Sequence, residues 1–173
     1  MKSLLFPLSL LTLVVGCGPG VDPDSLPPVD ETACTKAQLE ADGRDSAPLA
    51  ALPPGQYVVS TTYLRLPLRR SALARFSELT APMEDELRAN AGLVRVTTRL
   101  ATSCNTARTL TVWRTEADMY RFVGSPAHAR AMAATPEVSR GGSVTTHWSA
   151  SEAEATWQVA TRKLAEDDDG PVY

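Results

Sequence analysis

The sequence has few aromatic residues, only two histidines and no excess of positive charge. Aromatic residues make up 6% of the 173 positions, so we expect a modest core and few acid–base candidates. A formal net charge of −3 excludes a broadly basic nucleic-acid binder. No zinc-finger, P-loop or dinucleotide-binding pattern occurs, and no clustered His, Cys, Asp and Glu set predicts a metal site. The length and the 43% hydrophobic content suit one globular domain.

No apolar run is long enough to span a membrane. The run that follows Lys2 is about 14 residues long, against roughly 20 for a membrane-spanning helix, and is typical of a secretory signal peptide. It ends at Val14-Val15-Gly16-Cys17, which resembles the bacterial lipobox. The resemblance implies a signal peptide over 1–16 and a palmitate-type lipid anchor on Cys17, with the outer membrane of the cell envelope favoured by Gly18. The alternative is an ordinary secretory signal with an incidental cysteine.

The segment 17–56 is rich in proline and in acidic residues. Residues 18–54 hold seven of the 13 prolines and no aromatic residue, so they cannot bury enough apolar surface to fold alone. We predict a tether that holds the domain away from the bilayer, with one helical turn near 35–41. A short acidic tail over 166–173 ends the sequence.

The predicted domain, 57–165, is basic, in contrast to the acidic segments on either side. It carries fourteen basic and nine acidic residues, and all but one of the bases are arginine, which pairs well with carboxylates and phosphates. The partner of these arginines is an anionic ligand, anionic lipid headgroups or the acidic ends of the chain. A solvated arginine-rich surface is the alternative.

Two cysteines remain once Cys17 is assigned to lipid. Cys34 and Cys104 form an even pair in an oxidising compartment, which favours a disulfide over two free thiols. Such a bond would join the middle of the tether to the domain.

Alternating and helical spacings of apolar residues predict the elements of the domain. Apolar positions three and four apart indicate a helix over 69–90, with Pro82 as a kink or break and Gly92 as its C-terminal cap. Thr115 and Ser151 each begin a capping-box pattern that predicts the start of a later helix. The alternation of apolar and polar residues predicts strands over 57–66, 93–102, 108–113 and 143–149.

The resulting order β-α-β-β-α-β-α predicts an α+β, ferredoxin-like βαββαβ fold with an extra C-terminal helix. Two helices cover one face of a four-stranded sheet, so the half-polar opposite face needs a cover. Pairing of two such sheets face to face is the natural solution.

A motif follows the third strand. Trp113-Arg114-Thr115-Glu116 and then Phe122-Val123-Gly124-Ser125-Pro126-Ala127-His128 resemble the dimeric α/β-barrel superfamily around antibiotic-biosynthesis-type monooxygenases. The resemblance covers roughly 57–165. It implies a homodimer and a pocket on the polar face of the sheet. It also implies oxidation of a small aromatic or quinone-like substrate, either with haem or with no cofactor.

The same resemblance implies that Trp113 walls the pocket and that His128 is a ligand or proton acceptor. Packing roles are the alternative for both residues. The strand alternation adds pocket-lining candidates, which we expect on the face opposite the helix-facing apolar residues. They are Tyr63, Arg65, Arg95, Arg99, Thr111 and His147.

Two functions are consistent with these features. The first is a membrane-anchored bacterial lipoprotein that displays a monooxygenase-like domain for a small anionic or aromatic ligand. The second is a monooxygenase, cofactor-free or haem-dependent, at the membrane surface. No nucleophile with its base and orienting group is apparent, so the enzyme interpretation depends on the resemblance alone.

Overall fold

The computed structural model describes residues 22–30, 34, 44–46, 49–141 and 143–166. The predicted signal peptide, Cys17, the helical turn near 35–41 and residues 167–173 lie outside these ranges. No helix in the described part of the chain is long and apolar enough to cross a membrane.

The described residues form one sheet and two sets of helices. The strands are β1 (Arg44–Asp45), β2 (Gln56–Arg65), β3 (Leu93–Ala101), β4 (Thr106–Trp113) and β5 (Ser143–Ser151). The α-helices are α1 (Arg70–Ala89), α2 (Glu116–Val123), α3 (Pro126–Ala133), α4 (Thr135–Val138) and α5 (Trp157–Glu166). A 3-10 helix, Glu152–Glu154, lies between β5 and α5.

The strands pair in the order β1-β3-β4-β2-β5, and every pair is antiparallel. Without the two-residue edge strand β1, the chain order is βαββαβ and the sheet order is that of a ferredoxin-like fold. The predicted α+β class, with its extra C-terminal helix, is confirmed. The homodimer stays a prediction.

Pro82 lies inside helix α1, so of the predicted kink or break the break does not occur, and the kink stays a prediction. The helix is capped at Asn90, so the assignment of Gly92 as the cap is wrong. Gly92 is buried against Asp118 of α2, and a Cβ at this position would overlap the Asp118 side chain. Gly92 therefore allows the chain just before β3 to pack closely against α2.

The two capping-box patterns have different outcomes. The Thr115 hydroxyl accepts a hydrogen bond from the Asp118 backbone N–H at 3.1 Å and caps α2, as predicted. Ser151 and Glu154 form a capping box too, but it opens the 3-10 helix. Helix α5 begins later than expected, at Trp157.

Different parts of the chain cover the two faces of the sheet. We call the face that carries Trp113 the helix side, because Phe122 of α2 stacks on that ring with 5.6 Å between centroids. We call the opposite face, which carries Leu110, the far side. Its core joins strand residues to α5 and comprises Val59, Leu110, Val112, Ala150, Ala155, Trp157 and Ala160. Leu49 and Leu52 pack against this core, so the chain itself covers much of the face for which we expected a second copy.

Parts of the predicted tether also pack on the domain. The Leu26 backbone N–H donates to the Leu68 carbonyl at 2.9 Å, and β1 pairs with β3. Cys34 and Cys104 are joined by a disulfide, with 5.6 Å between their Cα atoms and a sequence separation of 70. Strand pairing and the predicted disulfide thus hold these residues of the tether on the domain.

Candidate functional site

Trp113, at the end of β4, is a packed residue of the helix side. Its side chain is almost completely buried, and its indole N–H donates to the Thr111 hydroxyl at 2.9 Å. The Phe122 ring covers it from α2. Its polar atom is thus satisfied within the sheet, as is usual for a buried tryptophan.

His128 lies in the first turn of α3, where Ser125 is the N-cap. The Phe122 ring meets its imidazole edge-on, with centroids 5.0 Å apart. Its Nδ1 atom is buried and makes no hydrogen bond within the described residues. Burial lowers the pKa of His128, an effect opposed in part by the Val123 carbonyl and the Glu86 charge. The imidazole is therefore neutral at pH 7, with one nitrogen available as a proton acceptor.

Glu86 of α1 holds the start of α3. Its carboxylate accepts hydrogen bonds from the Ser125 hydroxyl and, at 3.1 Å, from the Ala127 backbone N–H. An anion at the positive end of a helix is stabilising. The contact fixes α3, and with it His128, against α1.

Trp113, Phe122 and His128 thus form one aromatic row, which brings together the two residues that the resemblance singled out. These residues do not fit a haem between Trp113 and His128. Phe122 occupies that space, since its ring lies 5.6 Å from one neighbour and 5.0 Å from the other. Among the described residues, no group of three His, Cys, Asp or Glu side chains is placed to hold a metal ion.

His147 lies elsewhere on the helix side, near the surface. Its Nε2 is 3.3 Å from the Glu116 carboxylate, and its ring meets Tyr120 edge-on at 5.9 Å. The pairing register places His147 beside Ser60 and Ser60 beside Thr111. His147 and Thr111 are therefore on the same face as Trp113.

The arginine candidates point to the far side, with Tyr63. The register pairs Arg95 with Val112 and Arg99 with Arg108, and Arg65 and Tyr63 share that face of β2. The prediction that Thr111 and His147 share a face with these arginines is wrong. Alternation fixes the faces of a single strand, but the register between strands decides which faces coincide.

The far-side arginines are engaged by the protein itself. Arg95 donates to the Ala50 carbonyl at 2.7 Å and also to the Ala155 carbonyl. Arg99 forms a two-bond ion pair with Asp45, at 2.6 and 3.0 Å, and its hydrogen bonds lower the pKa of that carboxyl group. These contacts fasten the N-terminal segment and the chain before α5 to the sheet.

Arg108 is a far-side residue that sequence reasoning missed. It is buried and donates to the Thr161 hydroxyl at 2.8 Å. The guanidinium groups of Arg99 and Arg108 lie 4.7 and 5.1 Å from the ring centroid of Trp157. The basic character of the domain is thus used in part to bind its own C-terminal helix.

The helix side carries a second feature that sequence reasoning missed, a row of threonines across four strands. We call it the threonine rung; in order from β3 to β5 it comprises Thr98, Thr109, Thr62 and Thr145. The Thr62 and Thr145 hydroxyls bond each other at 2.9 Å. The Thr98 and Thr109 hydroxyls make no hydrogen bond within the part of the chain that the structure describes. All four residues keep some solvent exposure.

Apolar residues flank the free end of the rung. Val96 and Leu100, on the same face of β3 as Thr98, are 37% and 47% exposed. No residue of α1 is buried, and its apolar stripe stays partly accessible to solvent. The helices therefore leave this part of the helix side open. The signal was present in the sequence, because alternation puts Val96, Thr98 and Leu100 on one face.

A separate groove of about 390 Å³ lies on the outer surface between α1 and α3–α4. Arg75 and Glu137 line it and form an ion pair at 3.4 Å, and Glu78 and Arg130 line it too. Neither His128 nor Trp113 lines the groove. It is therefore distinct from the aromatic row and from the threonine rung.

No protein-family model matches the chain, and no curated protein matches its sequence. Several solved structures are similar to it. A conserved protein from Methanosarcina mazei is 10% identical with a TM-score of 0.47, covering 53% of this chain and 90% of that protein. A mutant of SnoaB, a cofactor-independent oxygenase from Streptomyces nogalater, is 20% identical with a TM-score of 0.44, covering 54% and 92%. A candidate antibiotic biosynthesis monooxygenase from Caulobacter crescentus is 15% identical with a TM-score of 0.47, covering 55% and 89%. Likeness at this level carries no information on activity.

Proposed function

We propose that this protein is a lipid-anchored protein of the bacterial cell envelope whose domain binds a small aromatic or quinone-like ligand at the free end of the threonine rung, formed by Thr98 and Thr109. The envelope location is supported by the lipobox-like sequence at Cys17 and by the Cys34–Cys104 disulfide. Disulfides persist in oxidising compartments outside the cytoplasm. The outer membrane is the favoured site because Gly18 follows the cysteine.

The observation that carries the ligand site is the free hydroxyl pair between two exposed aliphatic side chains. Thr98 and Thr109 face each other across β3 and β4 without bonding within the described residues, whereas Thr62 and Thr145 bond each other. Val96 and Leu100 offer apolar surface on either side of Thr98. A flat ring can lie on the aliphatic groups while a carbonyl or hydroxyl group bonds the threonines.

The ligand is aromatic rather than anionic. Arg95, Arg99 and Arg108, which would suit an anion, lie on the far side and bond protein groups. The chemistry around the rung is therefore neutral and hydroxyl-bearing.

Titration calorimetry with 1,4-naphthoquinone tests this proposal on the full-length protein. We expect saturable binding that the double substitution Thr98→Val and Thr109→Val weakens by about tenfold, equivalent to about 1.4 kcal/mol. Thr145→Val is the matched control, because its hydroxyl is at the other end of the rung. Binding that resists the double substitution would place the ligand elsewhere.

A cofactor-free monooxygenase is the second candidate, and it rests on His128. A neutral imidazole with a free, buried nitrogen can take a proton from a phenolic substrate. Oxygen consumption with 1,4-dihydroxynaphthalene measures this activity against the uncatalysed reaction. A rate above background that His128→Gln abolishes would support a monooxygenase. A rate equal to background would contradict this candidate and favour the ligand-binding function.

A further inference from the structure

Residues 22–26 form a strap over the junction between β2 and α1. The Arg70 backbone N–H donates to the Asp24 carbonyl at 2.8 Å, and Ser25 forms an isolated bridge with Arg69. The Leu26 N–H donates to the Leu68 carbonyl at 2.9 Å. These two backbone hydrogen bonds, which form the bridge between Ser25 and Arg69, fasten the strap at one end of the sheet.

The Asp24 side chain supplies the cap that α1 lacks. The N-cap residue of α1, Arg69, makes no capping hydrogen bond, and the first turn contains no acidic residue. Asp24 instead accepts from the Ser71 N–H at 2.7 Å and from the Ser71 hydroxyl at 2.6 Å. The strap is therefore part of the folded domain, since the helix terminus depends on it.

Only four residues separate the predicted lipidation site from the strap. Five residue steps from Cys17 to Asp22 span at most about 18 Å when fully extended. A tether running to residue 56 would allow the domain to lie anywhere near the bilayer. A strap that begins at Asp22 allows only one end of the domain to approach the anchor.

We propose that the end of the domain formed by the β2–α1 junction lies against the membrane, and that Arg69 and Arg70 contact anionic phospholipid headgroups. The proposal rests on the lipidation of Cys17 proposed above. It identifies a bilayer surface as the partner of this end and defines the orientation of the domain.

The exposed groups at this end of the sheet suit a contact with headgroups. Arg69 and Arg70 are exposed. The strap also brings Asp22 and Asp24 to this end, and hydrogen bonds from Ser71, with the charges of Arg69 and Arg70, lower the pKa of Asp24. Net charge therefore does not select the end that meets the bilayer, and the short connection to Cys17 does. The guanidinium groups that this connection brings close can bond headgroup phosphates.

Photo-crosslinking from the two ends of α1 tests the orientation. The full-length lipidated protein is placed in vesicles of phosphatidylcholine and phosphatidylglycerol, with p-benzoylphenylalanine at Ala74 or at Ala89. Both positions are exposed, and they lie about 22 Å apart along the helix. We expect cross-links to phospholipid about fivefold more frequent from Ala74, because only that end approaches the bilayer. Equal or reversed frequencies would overturn the inference.

Two further measurements separate the inference from the proposed function. Metabolic labelling with palmitate reports lipidation of Cys17. Absence of label would contradict the proposed lipid anchor. Labelled protein with equal cross-links from Ala74 and Ala89 would contradict only the proposed orientation. The double substitution Arg69→Gln and Arg70→Gln should reduce Ala74 cross-links in vesicles with phosphatidylglycerol but not in phosphatidylcholine alone. Arg114→Gln, at the other end of the sheet, is the matched control. An unchanged result with the double variant would overturn the headgroup contact.

Discussion

The two faces of the sheet use their polar residues in opposite ways. On the far side, Arg95, Arg99 and Arg108 bond carbonyl, carboxylate and hydroxyl groups of the same chain. On the helix side, Thr98 and Thr109 keep hydroxyls that no group within the described residues satisfies. These three arginines thus stabilise the fold, while the two threonine hydroxyls are the groups to which we assign a ligand under the proposed function. From residue type alone, one would expect the arginines to bind a ligand and the threonines to bond other groups of the protein.

The largest expected effect comes from removing the cover of the far side. Trp157 is buried between α5 and the sheet, with Arg99 and Arg108 beside its ring. Trp157→Ala should lower the free energy of unfolding by about 3–5 kcal/mol, measured by urea denaturation. Gln158→Ala, on the exposed side of the same helix, should change it by less than about 0.5 kcal/mol. Similar losses for both variants would show that α5 does not pack as a cover.

The disulfide should contribute the next largest effect. It joins the N-terminal segment to the β3–β4 turn across 70 residues. Replacement of both cysteines, Cys34→Ser with Cys104→Ser, should lower the free energy of unfolding by about 3 kcal/mol, because the unfolded chain gains freedom. Denaturation of the variant beside the oxidised and reduced wild type measures this. Identical stability of the oxidised and reduced wild type would contradict the expectation.

A smaller difference in unfolding free energy should separate substitutions of two neighbouring threonines, Thr61 and Thr109, whose side chains lie on opposite faces of the sheet. Thr61 is buried on the far side, and its hydroxyl donates to the Thr109 carbonyl at 2.8 Å. Thr61→Val should cost about 1 kcal/mol of unfolding free energy. Thr109→Val should cost less than about 0.5 kcal/mol, because its hydroxyl makes no hydrogen bond with the described residues. A large cost at Thr109 would mean that its hydroxyl is structural.

The smallest effect concerns the pH dependence of stability. Burial lowers the pKa of His128 in the folded protein below the value of about 6.5 in the unfolded chain. As the pH falls through that value, the unfolded chain binds more protons than the folded one, so the free energy of unfolding decreases. His128→Gln should flatten this decrease between pH 7.5 and 5.5. An unchanged slope in the variant would assign the dependence to other groups.

Much of the fold follows from local patterns in the sequence. The strand alternation and the apolar spacing of α1 predicted the element order, and the faces predicted for the residues of β4 were also correct. Thr109, Thr111 and Trp113 do lie opposite Leu110 and Val112. These features depend on neighbours a few residues apart, which a single sequence displays.

The candidate site was less accessible to prediction because it depends on contacts between distant segments. The register that puts Thr111 beside Val96 rather than Arg95 is set by the whole sheet and by a β-bulge near Leu93. The cover of the far side depends on α5, and the capping of α1 by Asp24 joins residues 47 positions apart. The aromatic row was found only through the motif that ends in His128.

Chemical-shift mapping by NMR with 1,4-naphthoquinone tests the central claim, that the open threonine rung is the ligand site, most directly. We expect the shifted backbone amides to cluster in two ranges, 96–100 of β3 and 107–111 of β4, and the shifts to disappear when Thr98→Val and Thr109→Val are combined. Shifts confined to the groove between α1 and α3–α4, or to the far side, would contradict the account.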